Sequence, residues 1–144
     1  MLRERILEAM GTLRLHGMKS TLDEVLATGI KQKSIPEKIL LTLLSAEVAD
    51  RQLRGIRYRM GLAKFPMDKD LDSFDFTASP VDEVQVRSLY EGRFLTSRSN
   101  VILVGGTGTG KTHLAIAIAR QAIRNGSKGR FFNLLDLVNQ LEWS

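Results

Sequence analysis

One cluster of residues, at positions 105 to 112, has the types and spacing that suit phosphate chemistry. It reads Gly-Gly-Thr-Gly-Thr-Gly-Lys-Thr and matches the pattern G-x-x-x-x-G-K-[ST], in which backbone N–H groups of a glycine-rich loop surround a polyphosphate. The pattern therefore predicts a Walker A loop. Its predicted nucleotide-binding residues are Gly105, Gly106, Thr107, Gly108, Thr109, Gly110, Lys111 and Thr112.

The residue types of this loop predict separate roles. The glycines can adopt backbone conformations that are closed to other residues, at the positive end of a following helix. We expect Lys111 to reach the β and γ phosphates of ATP, and the hydroxyl of Thr112 to ligate the Mg²⁺ that bridges them. Thr107 and Thr109 are expected only to line the loop. ATP and Mg²⁺ are thus the predicted ligands, and no residue is assigned a catalytic role.

The segments on either side of the loop predict the elements that position it. The apolar run Val101–Val104 is typical of a strand buried on both faces of a parallel sheet. A helix is predicted from His113 to about Asn125, with Gly126 as its C-cap. We interpret His113 as a residue of the first helical turn, and a nucleotide contact is the alternative.

Helical signals fill the first 65 residues. An apolar stripe predicts a first helix that ends near Gly17. The pairs Thr21–Glu24 and Ser34–Glu37 resemble capping boxes, which open helices, and the last helix should end before Pro66. We therefore predict a helical domain over residues 1–65.

The remaining sequence divides into a connecting segment and a second domain. Residues 66–79 lack helical periodicity and concentrate Asp, which indicates a linker that docks on its neighbours. Residues 80–144 carry the glycine loop, and Ser79, Pro80 and Asp82 predict a helix that runs to about Phe94.

A basic cluster on the third predicted helix has two interpretations. It consists of Arg51, Arg54, Arg57, Tyr58 and Arg59. It can be a solvated helix face near the negative end of the helix dipole. It can also contact nucleic-acid phosphates, with Tyr58 as a stacking surface.

Composition narrows the class of protein. The chain has 144 residues, no Cys and only two His, which excludes disulfide frameworks, thiol catalysis and a His-based metal site. No apolar run approaches the roughly 18 residues of a membrane span, so we expect no membrane partner and a cytoplasmic location. A net charge of +5 is compatible with a nucleic-acid partner.

Several stretches together resemble the insertion-sequence transposition helper proteins of the IstB type, relatives of the DnaC helicase loaders within the AAA+ ATPases. The resemblance covers nearly the whole chain. It rests on Leu15-His16-Gly17-Met18, on Ile56 to Phe76 with Ala63-Lys64-Phe65-Pro66, Lys69, Leu71 and Phe74-Asp75-Phe76, on Lys111-Thr112-His113-Leu114-Ala115, and on Asp136 to Leu141.

This resemblance implies an α/β fold, in which a small helical domain precedes the first part of a P-loop AAA+ domain with a parallel sheet. It implies an ATP-binding helper of DNA transposition, with DNA, a cognate transposase and copies of itself as partners. The resemblance further implies a Walker B strand, sensors and an arginine finger. Only 32 residues follow Thr112, enough for one helix, a strand around Arg130–Phe132 and a helix near Asp136–Trp143.

We therefore expect a truncated, hydrolysis-deficient form and leave open whether this chain is an enzyme. The segment Leu134-Leu135-Asp136 superficially resembles a Walker B end, but its position favours the helix after the second strand. The alternative function is a degenerate DNA- or protein-interaction module whose P-loop is a relic.

Overall fold

The computed structural model describes all 144 residues, and its regular structure is entirely helical. Seven α-helices and two 3₁₀ turns account for it. The α-helices are α1 (Leu2–Thr12), α2 (His16–Lys31), α3 (Pro36–Ala63), α4 (Glu83–Tyr90), α5 (Arg93–Thr96), α6 (Lys111–Arg124) and α7 (Leu134–Glu142). The 3₁₀ turns are Leu71–Ser73 and Phe76–Ala78. The chain separates into two compact units, Met1–Gly55 and Ile56–Ser144.

The prediction of a parallel sheet is wrong, because no residue lies in a β-strand. Val101–Val104 has no neighbouring strand, and Ile102 and Val104 are 83% and 90% exposed. Residues 130–132 also form no strand, and the amide of Phe131 instead donates to the carbonyl of Ala63 at 2.7 Å. An apolar run becomes a strand only when another segment supplies a hydrogen-bonded ladder, which no part of this chain does.

The unit Met1–Gly55 is built around a small apolar core. Met10 of α1, Met18 and Leu22 of α2, and Leu43 of α3 are buried together. Partly buried residues complete this cluster: Leu7, Leu15, Val25, Leu26 and Ile39. Removing these side chains from water is the main favourable contribution to the packing of the three helices.

Glu47 of α3 stabilises the beginning of α2 through a direct hydrogen bond, although the two are far apart in the sequence. Its carboxylate is 5% exposed and accepts from the backbone amide of Met18 at 3.1 Å and from Arg51 Nε at 2.9 Å. Burial alone would raise the pKa of Glu47, but hydrogen bonds from Arg51 and from the amides of Met18 and Gly17 hold it below its usual range. A carboxylate at this position satisfies amides that the helix leaves free.

Two predicted boundaries in this region are wrong. Gly17 does not end the first helix but lies in the first turn of α2, where an added β-carbon would be 2.6 Å from Asp50 Cβ. Thr21 does not open a helix, since its hydroxyl donates to the carbonyl of Gly17 within α2. The predicted ends of α3 agree better with the structure. A start near Ser34–Glu37 and an end before Pro66 were predicted, and α3 begins at Pro36 and ends at Ala63.

The unit Ile56–Ser144 has a second core, which lies along α6. Leu71, Val86, Leu114 and Ala117 are buried in it. They are joined by partly buried side chains, namely Phe74, Phe76, Val81, Tyr90 and Leu103. The connecting segment and α4 thus pack directly on α6.

The helix predicted to reach Phe94 is interrupted. It begins after Asp82, whose carboxylate accepts from the amide of Val84 at 3.0 Å, and α4 ends at Tyr90. Gly92 then takes a left-handed conformation with φ +82° and precedes α5. None of the helices is both long and apolar enough to cross a membrane.

Candidate functional site

The glycine loop leads directly into α6. Gly110 is the N-cap of this helix and has φ +88°, and Gly108 has φ +74°. Both values lie in the left-handed region, which glycine occupies without steric cost. The loop therefore needs glycine at these two positions for its backbone path, and it places Lys111 and Thr112 as the first two residues of α6.

The backbone of the loop is open to a ligand. A β-carbon added at Gly106 or at Gly108 would meet no atom within 4 Å. None of the amides from Gly106 to Gly110 donates a hydrogen bond to another backbone group. Free amides at the N-terminus of a helix attract anions.

Two side chains close the loop on itself. Lys111 Nζ donates to the carbonyl of Gly105 at 2.7 Å, also to that of Gly106, and lies 3.3 Å from Thr109 Oγ1. The hydroxyl of Thr109 donates to the carbonyl of Gly106 at 2.8 Å. The ammonium group is thus held over the loop.

The other predicted threonines of the loop are accessible. Thr107 and Thr112 are both exposed. Thr112 lies in the first turn of α6, one residue after the cation of Lys111. All eight predicted residues are therefore continuous in one loop and the first helical turn that follows it.

A cleft of about 290 Å³ adjoins the loop. The loop contributes Gly105, Thr109 and Lys111 to its walls, and the rest of its lining is mostly apolar. The other lining residues are Ser79, Pro80, Val81, Ile102, Leu103, Val104 and Leu114. A few polar groups among mostly apolar walls are typical of sites that bind small organic ligands.

The connecting segment packs against the first turn of α6. A β-carbon on Gly110 would be 2.6 Å from Phe74 Cε2, so the ring lies directly on this glycine. The rings of Phe74 and His113 meet edge to face, with their centroids 5.2 Å apart. His113 Nε2 donates to the carbonyl of Asp70 at 2.8 Å and lies 3.2 Å from Ser73 Oγ. His113 is therefore a residue of the first helical turn, as predicted.

Ion pairs continue this attachment along α6. Asp70 accepts from Arg124 at 2.6 Å and from Arg120 at 3.1 Å, and Arg120 also pairs with Asp68 at 2.9 Å. Burial by itself would raise the pKa of Asp70, but Arg124 and Arg120 hold it below its usual range. Asp68 and Asp70 thus attach the connecting segment to the helix that follows the loop.

Sequence reasoning did not assign Phe74 to the site. The signal is present, since Phe74 and Phe76 lie two residues apart and so share one side of an extended segment. The spacing of the two phenylalanines does not predict which residue the ring of Phe74 packs against. Phe74 contacts a glycine that follows 36 residues later, and only the tertiary structure brings the two together.

The basic cluster on α3 is partly neutralised. Arg51 and Arg54 pair with Glu47 at 2.9 and 3.4 Å, and Arg54 pairs with Asp50 at 2.8 Å. Arg59 donates to the carbonyl of Ile123 at the end of α6. Arg57 and Tyr58 remain exposed. The cluster therefore presents fewer available cations than its sequence indicates.

Comparison with known proteins gives one family. The sequence model of the family described as IstB-like ATP binding protein matches residues 8–144. An insertion-sequence protein of Geobacillus stearothermophilus, named for ATP binding and for IS5376, is 38% identical over 141 residues, which are 97% of this chain and 56% of the relative.

Two further relatives belong to insertion sequences of the IS21 type, and their names also state ATP binding. The one from Bacteroides fragilis strain YCH46 is 30% identical over 94% of this chain and 68% of its own length. The one from Pseudomonas aeruginosa is 33% identical over 92% of this chain and 50% of its own length. This chain thus spans between half and about two thirds of the relatives it resembles.

The family match extends over both compact units and includes the glycine loop, the connecting segment and α7. It also agrees with the resemblance that those stretches carry in the sequence itself. The chain belongs to the IstB-like ATP-binding proteins.

Proposed function

We propose that this chain binds ATP through residues 105–112, which form its Walker A loop. The observation that carries the proposal is the conformation of this loop, in which Gly108 and Gly110 are left-handed and the amides between Gly106 and Gly110 are free. The open space at Gly106 and Gly108 fits a phosphate chain that approaches the backbone closely. The family description and the names of the relatives support the same ligand.

Within this site the side chains have different tasks. Lys111 would hold the β and γ phosphates, and its ammonium would leave the carbonyls of Gly105 and Gly106 to do so. Thr112 would contribute its hydroxyl to Mg²⁺, which supplies charge neutralisation between the phosphates when it is bound. The cleft lined by Val81 and Leu114 would take the nucleoside.

Thermal unfolding with Mg·ATP tests this proposal. A ligand at about one hundred times its Kd stabilises a folded protein by about 2.7 kcal/mol, so ATP should raise Tm by several degrees. Lys111→Ala should abolish the increase. Lys128→Ala is the matched control, because it removes an exposed lysine outside the loop and should leave the ATP effect intact.

We further propose that the protein acts as a helper of DNA transposition together with a transposase. The insertion-sequence names of the relatives support this context. In this proposal residues 1–65 contact DNA or the transposase, and residues 66–79 connect them to the ATP-binding part, residues 80–144. Co-purification with the transposase of the same insertion sequence, with and without ATP, tests the partnership.

One observation favours the alternative of an interaction module with a relic loop. Lys111 already satisfies its ammonium on the loop carbonyls, so the loop is stable without a phosphate. In that case ATP leaves Tm unchanged, while residues 1–65 still bind DNA in a salt-dependent manner. The thermal measurement therefore separates the two functions.

A further inference from the structure

A second cleft, of about 450 Å³, lies within the unit Ile56–Ser144, between the end of α3 and the beginning of α7. Three parts of the chain build it. Lys64 and Pro66 follow α3, Arg130 to Asn133 precede α7, and Asp136, Asn139 and Gln140 belong to α7. None of the residues 105–112 lines this cleft.

Backbone contacts hold the two walls together. The amide of Phe131 donates to the carbonyl of Ala63 at 2.7 Å, and Arg130 Nη1 donates to the carbonyl of Leu62 at 3.0 Å. These bonds satisfy carbonyls at the end of α3 that the helix leaves free. Lys64 then turns the chain with φ +52° and directs it away from the helix. Hydrogen bonds to the last turn of α3 thus hold this side of the cleft in place.

The wall of the cleft that faces the end of α3 is formed by α7, and the first turn of this helix determines which of its residues line the cleft. Asn133 is the N-cap of α7, and its side chain accepts from the amide of Asp136 at 2.8 Å. Asp136, Asn139 and Gln140 follow at spacings of three and four residues, so they share one face of the helix. That face contributes two amide side chains and a carboxylate to the cleft.

The walls of the cleft combine three kinds of side chain that contact nucleotides in proteins, namely aromatic rings, amides and cations. Phe131 and Phe132 supply aromatic rings, and the guanidinium of Arg130 lies 5.4 Å from the ring centroid of Phe132. Lys64 adds a second cation, and it makes no ion pair within the chain. Rings stack on bases, amides bond the base edges, and cations hold phosphates.

Asp136 distinguishes this cleft from a purely cationic anion site. Its carboxylate belongs to the same lining as the two cations, and it can accept a hydrogen bond from a base amino group. In a duplex the Watson–Crick edge of a base is occupied by its pairing partner, and its faces are stacked on neighbouring bases. An unpaired base offers both its face and its edge to such walls.

We propose that this cleft binds an unpaired nucleotide of a single-stranded nucleic acid. Asn139 and Gln140 bond the base edge, the phenylalanine rings pack on the base, and Lys64 and Arg130 hold the flanking phosphates. This inference rests on the proposed role on DNA and names the form of DNA that the unit Ile56–Ser144 recognises. It is independent of ATP binding, since the two sites share no residue.

Fluorescence anisotropy with the full chain tests this site. The probes are a labelled 20-nucleotide single strand of mixed sequence and the duplex of the same sequence. The double variant Asn139→Ala/Gln140→Ala should weaken single-strand binding about tenfold, the effect of losing one bidentate base contact. It should leave duplex binding within about twofold, because phosphate contacts dominate there. The control Gln52→Ala/Asn100→Ala removes two exposed amides elsewhere and should change neither.

Charge is tested with a second matched pair. Lys64→Gln should weaken single-strand binding and lower the salt slope by about one, while Lys128→Gln, with the same loss of charge, should do neither. Circular dichroism melting of each variant establishes that the fold is retained. The sole tryptophan, Trp143, lies one helical turn after Gln140, so its fluorescence should change when the single strand binds.

Three results would overturn the proposal. The first is equal affinity for single strand and duplex, with no effect of the double amide variant. The second is an equal effect of Lys64→Gln and Lys128→Gln, and the third is no single-strand binding at low salt. Retained ATP stabilisation in the same variants would show that the loss concerns this cleft alone. Failure of ATP binding with intact single-strand binding would instead contradict the proposed nucleotide function.

Discussion

The ring of Phe74 lies on Gly110, and a β-carbon built on this glycine would be 2.6 Å from Phe74 Cε2. The contact joins the segment before α4 to the residue that caps α6. The position of the glycine loop therefore depends on a side chain that is distant in the sequence. Stability and ATP binding should both respond to this contact.

Gly110→Ala should destabilise the protein by at least about 1 kcal/mol. A left-handed backbone costs a residue with a β-carbon about 1–2 kcal/mol, and the new methyl group would also displace Phe74. Urea unfolding followed by circular dichroism measures the change. Gly106→Ala is the control, since its β-carbon would meet no atom within 4 Å, and it should stay within about 0.5 kcal/mol of the parent. Equal effects of the two variants would contradict the packing of Phe74 on Gly110.

Glu47→Gln should lower Tm at neutral pH and much less in acid. The pKa of Glu47 is held below its usual range, so its contribution to stability is complete above the pKa of the unfolded chain, about 4.3. That contribution is lost as the pH falls through the lower pKa of the folded state. In melting curves recorded between pH 7 and pH 2.5, the difference in Tm between parent and variant should become smaller towards the acid end. A constant difference in Tm over this range would show that the carboxylate charge is not what stabilises α2.

Arg57→Gln should weaken binding of duplex DNA more than Arg51→Gln does. Arg51 is already paired with Glu47, whereas Arg57 is exposed and has no ion pair. Each phosphate contact that is lost reduces the salt slope of binding by about one. Titrations of duplex DNA at several salt concentrations measure this slope. Identical slopes for Arg57→Gln and the parent would favour the interpretation of the cluster as a solvated helix face.

ATP hydrolysis by this chain should be negligible. The cleft beside the loop is lined by no Asp or Glu, so no carboxylate is placed there to orient an attacking water. A malachite-green assay with Mg·ATP should give the same phosphate release for the parent and for Lys111→Ala. Release that disappears in Lys111→Ala would contradict this prediction.

Local sequence signals predicted the helix that follows the loop, but not the conformation of the segment before it. The pattern from Gly105 to Thr112 predicts a turn followed by a helix, and α6 begins at Lys111 and ends at Arg124. The C-cap of α6 is Asn125, one residue before the predicted Gly126, which has φ +102° and whose amide donates to the carbonyl of Ile123. Capping and glycine conformation are local effects, and local effects can be read from a few neighbouring residues.

Effects between distant residues could not be predicted in this way. The apolar run Val101–Val104 has the composition of a strand, but a strand also requires a partner that no local pattern guarantees. The amide of Met18, near the beginning of α2, donates to the carboxylate of Glu47, which lies 29 residues further along the chain. The local pair Thr21–Glu24 therefore predicted the beginning of this helix at the wrong residue. The contact of Phe74 with Gly110 was missed for the same reason.

The chemical shifts of the loop amides test most directly whether residues 105–112 bind the triphosphate. ¹H–¹⁵N correlation spectra of the labelled chain, recorded with and without Mg·ATP, report on each amide separately. We predict that ATP binding by the loop gives the largest shifts at the residues from Gly105 to Thr112, with glycine signals prominent, and that these shifts disappear in Lys111→Ala. Unchanged glycine signals at saturating ATP, or shifts confined to other parts of the chain, would contradict it.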